Sequence, residues 1–161
     1  MSLPAYLFLY DESGVLINGS CSASGREGAI EVMSTQHTMN LSADAHSGML
    51  TGSRMHHPVI INKEIDCASP YLADLLCTGN KISKAILRFY TIIDAGIEVE
   101  LYTITLEKVI ISSISLHHSY IPGSTSQNMM ETVSLRYGGI TWNYLRGNII
   151  KNDFWGKENR K

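Results

Sequence analysis

The stretch ETVSLRYGGITWNYL, residues 131–145, decides how the chain folds. Its large apolar residues stand on odd numbers before the glycine pair, at Val133, Leu135 and Tyr137, and on even numbers after it, at Ile140, Trp142 and Tyr144. Side chains on a strand alternate between two faces, so a change of parity means that the chain does something at Gly138 and Gly139. One reading is a two-residue hairpin, which local rules favour because glycine tolerates the positive φ of such turns. The other is a single long strand carrying an extra residue and bending there, as at the corner of a barrel.

The same alternation runs through much of the chain. AYLFLY from Ala5, AIEVMSTQH from Ala29, PVIINKEI from Pro58 and AILRFYTI from Ala85 read as strands rich in β-branched and aromatic residues. DAGIE from Asp94 supplies a glycine turn into EVELYTITLEKVIISSISL, residues 98–116, whose apolar residues occupy both parities. One helix is signalled, by SPYLADLLCTG: Ser69 is placed to cap it, Pro70 suits its first position, and Gly79 ends it. Leu72, Leu75 and Leu76 make its apolar stripe. Many strands with one short helix, about 69–78, predict a mainly β fold: a β-barrel or sandwich with a helical cap.

STQHTMNLSADAHSGMLTGSRMHH, residues 34–57, lacks sustained periodicity and is rich in Ser, Thr, Gly and His, so it reads as a long loop. It still carries Met39, Leu41, Met49, Leu50 and Met55, more apolar anchors than a linker needs, which points to docking on another surface. Phe154 and Trp155 in the charged tail, about 151–161, point the same way.

Composition narrows the function classes. A chain of 161 residues with 44% hydrophobic and 17% charged residues is read as a single globular domain, 1–161. A formal charge of -2 and the lack of a basic run give no case for nucleic acid. No apolar segment approaches the roughly 20 residues of a membrane helix, so no membrane insertion is expected. Cys21, Cys67 and Cys77 form no C-x-x-C pair and imply no disulfide framework. PAYLFLY follows no Lys or Arg and precedes Asp11 and Glu12, so it reads as a first strand and not as a signal peptide.

No catalytic, metal or cofactor-binding residue is assigned. The doublets His56-His57 and His117-His118 point to opposite faces on a strand, and His37 and His46 stand alone, so surface or interface histidines are the reading. Nucleophile-elbow and phosphate-loop motifs are absent from the sequence. Trp142, Tyr144 and Tyr137 are read as core or interface packing, not as a ligand platform. A monomeric β-barrel binding a small apolar ligand in its core stays as the alternative function, and a histidine hydrolase as a third.

Taken in order, REGAIEVMSTQH, GMLTGSRMHHPVIINKEID, SPYLADLLCTG, DAGIEVELYTITLEKVIISSIS and ETVSLRYGGITWNYLRGNI resemble the haemolysin-coregulated protein (Hcp) family of the bacterial type VI secretion system, in its enterobacterial branch. KEIDCASPYL and YTITLEKVIISSIS carry the resemblance most strongly. It implies a non-enzymatic subunit: a β-barrel of two packed antiparallel sheets with one flanking helix and an extended loop, about 37–57, that reaches neighbouring subunits and rings. It also implies a homohexamer whose rings stack into a tube, driven out by a contractile sheath behind a VgrG-like spike protein, with small effector proteins in the lumen. The protein would be made in the cytoplasm and secreted to the medium or a target cell without a cleaved signal. Lumen positions that hold cargo fall by motif on Gln36 and Ser119. For residues 131–145 the resemblance turns the reading toward one strand bent at the glycine pair.

Overall fold

In the computed structural model, residues 3, 5–125 and 129–155 are described, so the charged tail beyond Trp155 lies outside the described residues. The elements in chain order are β1 (Ala5–Tyr10), β2 (Leu16–Ile17), β3 (Ile30–Val32), β4 (Ser34–Gln36), β5 (Met39–Ala43), β6 (Leu50–His56), β7 (Val59–Glu64), α1 (Ser69–Thr78), β8 (Ile82–Ile92), β9 (Glu98–His118), β10 (Met129–Arg136), β11 (Gly139–Tyr144) and β12 (Ile149–Phe154). All strand pairs are antiparallel. One sheet runs β1-β8-β9-β11-β12, with β2 and β3 added on β1, and the other runs β9-β10-β7-β4.

The 21-residue β9 belongs to both sheets, and residues 129–144 follow it around the corner. β10 pairs with the far half of β9, as in Leu135↔Ile111, and β11 with the near half, as in Ile140↔Leu106. Tyr137 and Ile140 are therefore not partners across a turn, and the bent strand replaces the hairpin. Neither Gly138 nor Gly139 has a positive φ; the left-handed residue at this corner is Lys108 on β9, φ 52°. The Gly138 N–H donates to the Glu107 carbonyl at 2.9 Å.

The parity change is thus shared. Each strand advances three residues between the pairs Arg136↔Ile110 and Gly139↔Glu107, so the ladder keeps its register while both strands change facing. A bulge on one strand alone would slip the ladder by one residue. Such an uncompensated shift occurs elsewhere, between Ser134 and Leu135, where Ser112 is the extra residue of β9. These two irregularities explain the two-sided pattern of β9. Its inward side chains are Ile104 and Leu106 up to the corner, Val109 and Ile111 after it, and Ile114 past the bulge. On the opposing strand Val133, Leu135, Tyr137 and Ile140 are buried and Trp142 packs against the core, but Tyr144, read as core or interface packing, is exposed and stays out of the core.

A second corner joins the two sheets. β3 pairs with β1 and β4 with β7, separated only by Met33, whose N–H donates to the Asn62 carbonyl at 2.8 Å. The interior is filled by Leu7, Leu9, Ile30, Ile61, Leu106 and other side chains with essentially no exposure. Helix α1 lays Leu72 fully into this core, with Leu75 and Leu76 packed beside it. Gly79 ends it at φ 69°, its N–H donating to the Leu75 carbonyl at 3.0 Å. The N-cap is Ala68, not Ser69, whose hydroxyl is engaged with Lys63 and Glu131. Outside the first sheet, residues 18–29 cover Tyr6 and Phe8; Arg26 lies 3.9 Å over the Tyr90 ring and pairs with Glu98 at 2.6 Å.

Candidate functional site

Residues 34–57, expected as an irregular loop, contain a β-hairpin. β5 and β6 pair with each other and with no other described strand, in the register Met39↔His56, Asn40↔Met55 and Leu41↔Arg54, with an irregularity before Ala43↔Leu50. The turn is built by Asp44, whose carboxylate accepts the N–H groups of His46 at 2.8 Å and Ser47 at 2.7 Å and the Ser47 hydroxyl at 3.0 Å. These backbone donors hold the Asp44 carboxyl below its ordinary range. Gly48 supplies the left-handed position, φ 69°.

All of the hairpin's strand residues but His56 are exposed. Met39, Leu41, Met49, Leu50 and Met55 are all exposed, up to 70% for Met49 and 66% for Leu50. Met39 and Leu41 share the face that carries Arg54 and His56, and Met55 lies on the other, so both faces present apolar side chains.

The hairpin's base is fastened to the barrel corner. Arg54 binds Asp153 of β12 through two bonds, 2.5 and 2.9 Å, and reaches the Phe154 carbonyl at 3.3 Å. His56 approaches Asp153 through Nε2 at 2.8 Å and the Tyr137 hydroxyl through Nδ1 at 3.1 Å, and its ring stacks on Trp155 at 3.8 Å. His37 holds the same Tyr137 hydroxyl through Nε2. Arg54 and His56 hold the Asp153 carboxyl below its ordinary range, while burial, with the Asp153 charge, pushes the Tyr137 hydroxyl well up. His37 and His56 were expected at the surface or an interface; the structure instead puts the His56 ring inside this cluster. Among the described residues no group of three or more His, Cys, Asp or Glu is placed to hold a metal ion.

The outward face of the second sheet carries a row of hydroxyls and amides between the Met130↔Glu64 pair and Ile60. Ser34, Asn62, Thr132 and Ser115 are direct neighbours across β4, β7, β10 and β9. The Asn62 amide donates to the Ser34 hydroxyl at 2.7 Å, and the Thr132 hydroxyl donates to the Asn62 carbonyl at 2.5 Å. Gln36 is exposed at the end of β4, in the next row with Ile60, Ser134 and Ser113. Ser119, also exposed, follows the end of β9, so β7 and β10 separate the two positions. This ladder was not read from the sequence; the alternation of Ser and Thr with apolar residues in ETVSL is its one local trace.

A hollow of about 410 Å³ lies outside the barrel, lined by Asp11, Val15, Leu16, Ile17, Asn18, Cys67 and Tyr71. Among the described residues no helix is long and apolar enough to cross a membrane.

These features define a class: an antiparallel β-barrel with one covering helix and a hairpin projecting between β4 and β7 of its second sheet. The sequence model of the type VI secretion system effector Hcp matches residues 6–144, and the chain belongs to that family, one of secreted tube proteins and not of known enzymes. The chain is 31% identical to the major exported protein of Pseudomonas aeruginosa over 166 residues, 96% of each. The Hcp1 protein of the E. coli EAEC 042 pathovar, solved as a double variant, is similar at 40% identity with a TM-score of 0.87, over 96% of this chain and 99% of that one. A further Hcp crystal structure, 21% identical, shares the fold with a TM-score of 0.88 over 98% of this chain and all of its own.

Proposed function

We propose that this chain is a structural subunit of the type VI secretion inner tube, forming homohexameric rings that stack, are exported by the contractile sheath behind a spike protein, and carry small effectors in the lumen. The observation that carries the reading is the hairpin. An isolated two-stranded hairpin is marginal in water, yet this one exposes Met39, Leu41, Met49, Leu50 and Met55 on a projecting arm. Such an arm gains most from docking on another surface, and a second copy of the chain supplies one in every ring. Contacts around a ring are head-to-tail and close; ring on ring they are head-to-tail and do not close, which makes a tube.

The neutral ladder of Ser34, Asn62, Thr132 and Ser115, with Gln36 beside it and Ser119 beyond β9, is the face assigned to the lumen. A row of hydroxyls and amides offers many weak hydrogen bonds, which suits reversible contact with varied cargo. On this reading the chain is made in the cytoplasm and leaves without a cleaved signal. Negative-stain microscopy of the purified protein tests it: rings with a central opening are expected, and compact monomers at every concentration would overturn it.

A further inference from the structure

We propose that His37, Tyr137, His56 and Asp153 form a proton-sensitive latch that holds the β5–β6 hairpin to the barrel corner at neutral pH and releases it on acidification. The consequence for assembly rests on the docking role given to the hairpin above; the latch itself rests on the geometry of its base.

At neutral pH the proton positions are fixed by their neighbours. Asp153 accepts from Arg54, so the His56 nitrogen facing it, Nε2 at 2.8 Å, must be the N–H. Neutral His56 then has a bare Nδ1, which accepts the Tyr137 O–H across 3.1 Å. The Tyr137 oxygen in turn accepts from the Nε2–H of His37. Each donor in this chain meets one acceptor, and it links both roots of the hairpin, His37 ahead of β5 and His56 at the end of β6, to the corner and to β12.

Acid undoes this arrangement in two ways. A protonated His56 turns its Nδ1 into a second donor aimed at the Tyr137 oxygen, and the buried tyrosine proton is left without its acceptor. Protonation of both rings also places two cations at ring centroids 6.5 Å apart, around one hydroxyl. Asp153, 2.8 Å from His56 Nε2, offsets one of the two cations, but Arg54 already shares its carboxylate, and His57 and Arg136, which line the same small hollow with His56, Tyr137 and Trp155, add only positive charge. Burial, then the nearby His56 and His57, hold His37 below its ordinary 6.5. His37 thus binds a proton more readily when released than when latched. Its contribution is fully present above about 6.5 and is lost as the pH falls from there through its lowered value.

Amide hydrogen exchange of the full chain tests the latch, with rates corrected for the intrinsic effect of pH and the β7 and β10 amides as the reference for an intact barrel. Between about pH 8 and about pH 5, hairpin opening is expected to rise severalfold, because the released His37 ring takes up a proton that the latched ring resists. His37→Gln keeps a donor for Tyr137 without a titrating ring and should lose most of that rise; His37→Gln with His56→Gln should abolish it. Equal opening of the wild-type hairpin at both pH values, or a double variant as responsive as wild type, would overturn the latch. Sedimentation of the same samples separates the two readings: opening that responds to pH in a protein that never assembles sinks the docking role and leaves the latch standing.

Discussion

Lys63 Nζ lies 2.5 Å from Glu131 Oε1 inside the barrel, the lysine fully buried and the glutamate nearly so. Asp66 adds a second carboxylate at 3.0 Å, and the Ser69 hydroxyl donates to Glu131 at 2.8 Å. The cluster joins β7, β10 and the start of α1, and the lysine serves both acids. Removing the cation strands two buried carboxylates, whereas removing one acid leaves Lys63 its other partner. Lys63→Met should therefore lower stability by about 3–5 kcal/mol and Glu131→Gln by clearly less. Urea unfolding monitored by circular dichroism checks the order; equal losses would show that Asp66 does not share the lysine.

Lys108 is strained where it stands. Its φ of 52° is a left-handed backbone, which costs an L-residue roughly 1–2 kcal/mol and glycine almost nothing. Lys108→Gly should be neutral or stabilising by up to about 1 kcal/mol, after the extra freedom of glycine in the unfolded chain is offset. Lys108→Val, branched at Cβ, should destabilise by about 1–2 kcal/mol. Thermal unfolding of the two variants checks this. A valine variant as stable as wild type would mean that the corner can bend some other way.

That corner also shows what the sequence can and cannot tell. The parity change at Gly138 and Gly139 was legible because burial on either side of it is strong, through Leu135, Tyr137 and Ile140. Its partner change at Lys108 was hidden, since a polar residue in the left-handed region leaves no composition signal and the Ser112 bulge reverses the facing again four residues later. Helix α1 was legible from Pro70 and Gly79, but Ser69's engagement with Glu131, 62 residues away, was not. The hairpin escaped detection for a plain reason. Periodicity records a buried face, and β5 and β6 bury neither. The contacts of His56 with Tyr137 and Asp153 span 81 and 97 residues, beyond any local pattern.

Gly139 carries the ring of Phe154 where a side chain would begin: an added Cβ would overlap that ring. Gly139→Val should cost about 1–3 kcal/mol, as overpacking does. Phe154 is 49% exposed and stands on the edge strand β12, so its removal should relieve the clash. Phe154→Ala added to Gly139→Val is expected to recover part of the loss, a coupling that a double-mutant cycle measures. Strict additivity would place the strain in the backbone and not against Phe154.

Folding and assembly make separate demands on the hairpin. Leu41 and Met49 are exposed on the hairpin and touch no core residue, so replacing either with Asp should leave the unfolding midpoint of the barrel within about 0.5 kcal/mol of wild type. If the hairpin docks on another copy, the same charge becomes buried and unpaired in the contact, and association should weaken by about 2 kcal/mol or more, roughly thirtyfold. Met55→Asp, on the opposite face from Leu41, tells whether one face or both are covered. Analytical ultracentrifugation across concentration reads each variant. Assembly unchanged by both Leu41→Asp and Met49→Asp would remove the hairpin from the interface, and the ring would then have to be held by other surfaces of the barrel.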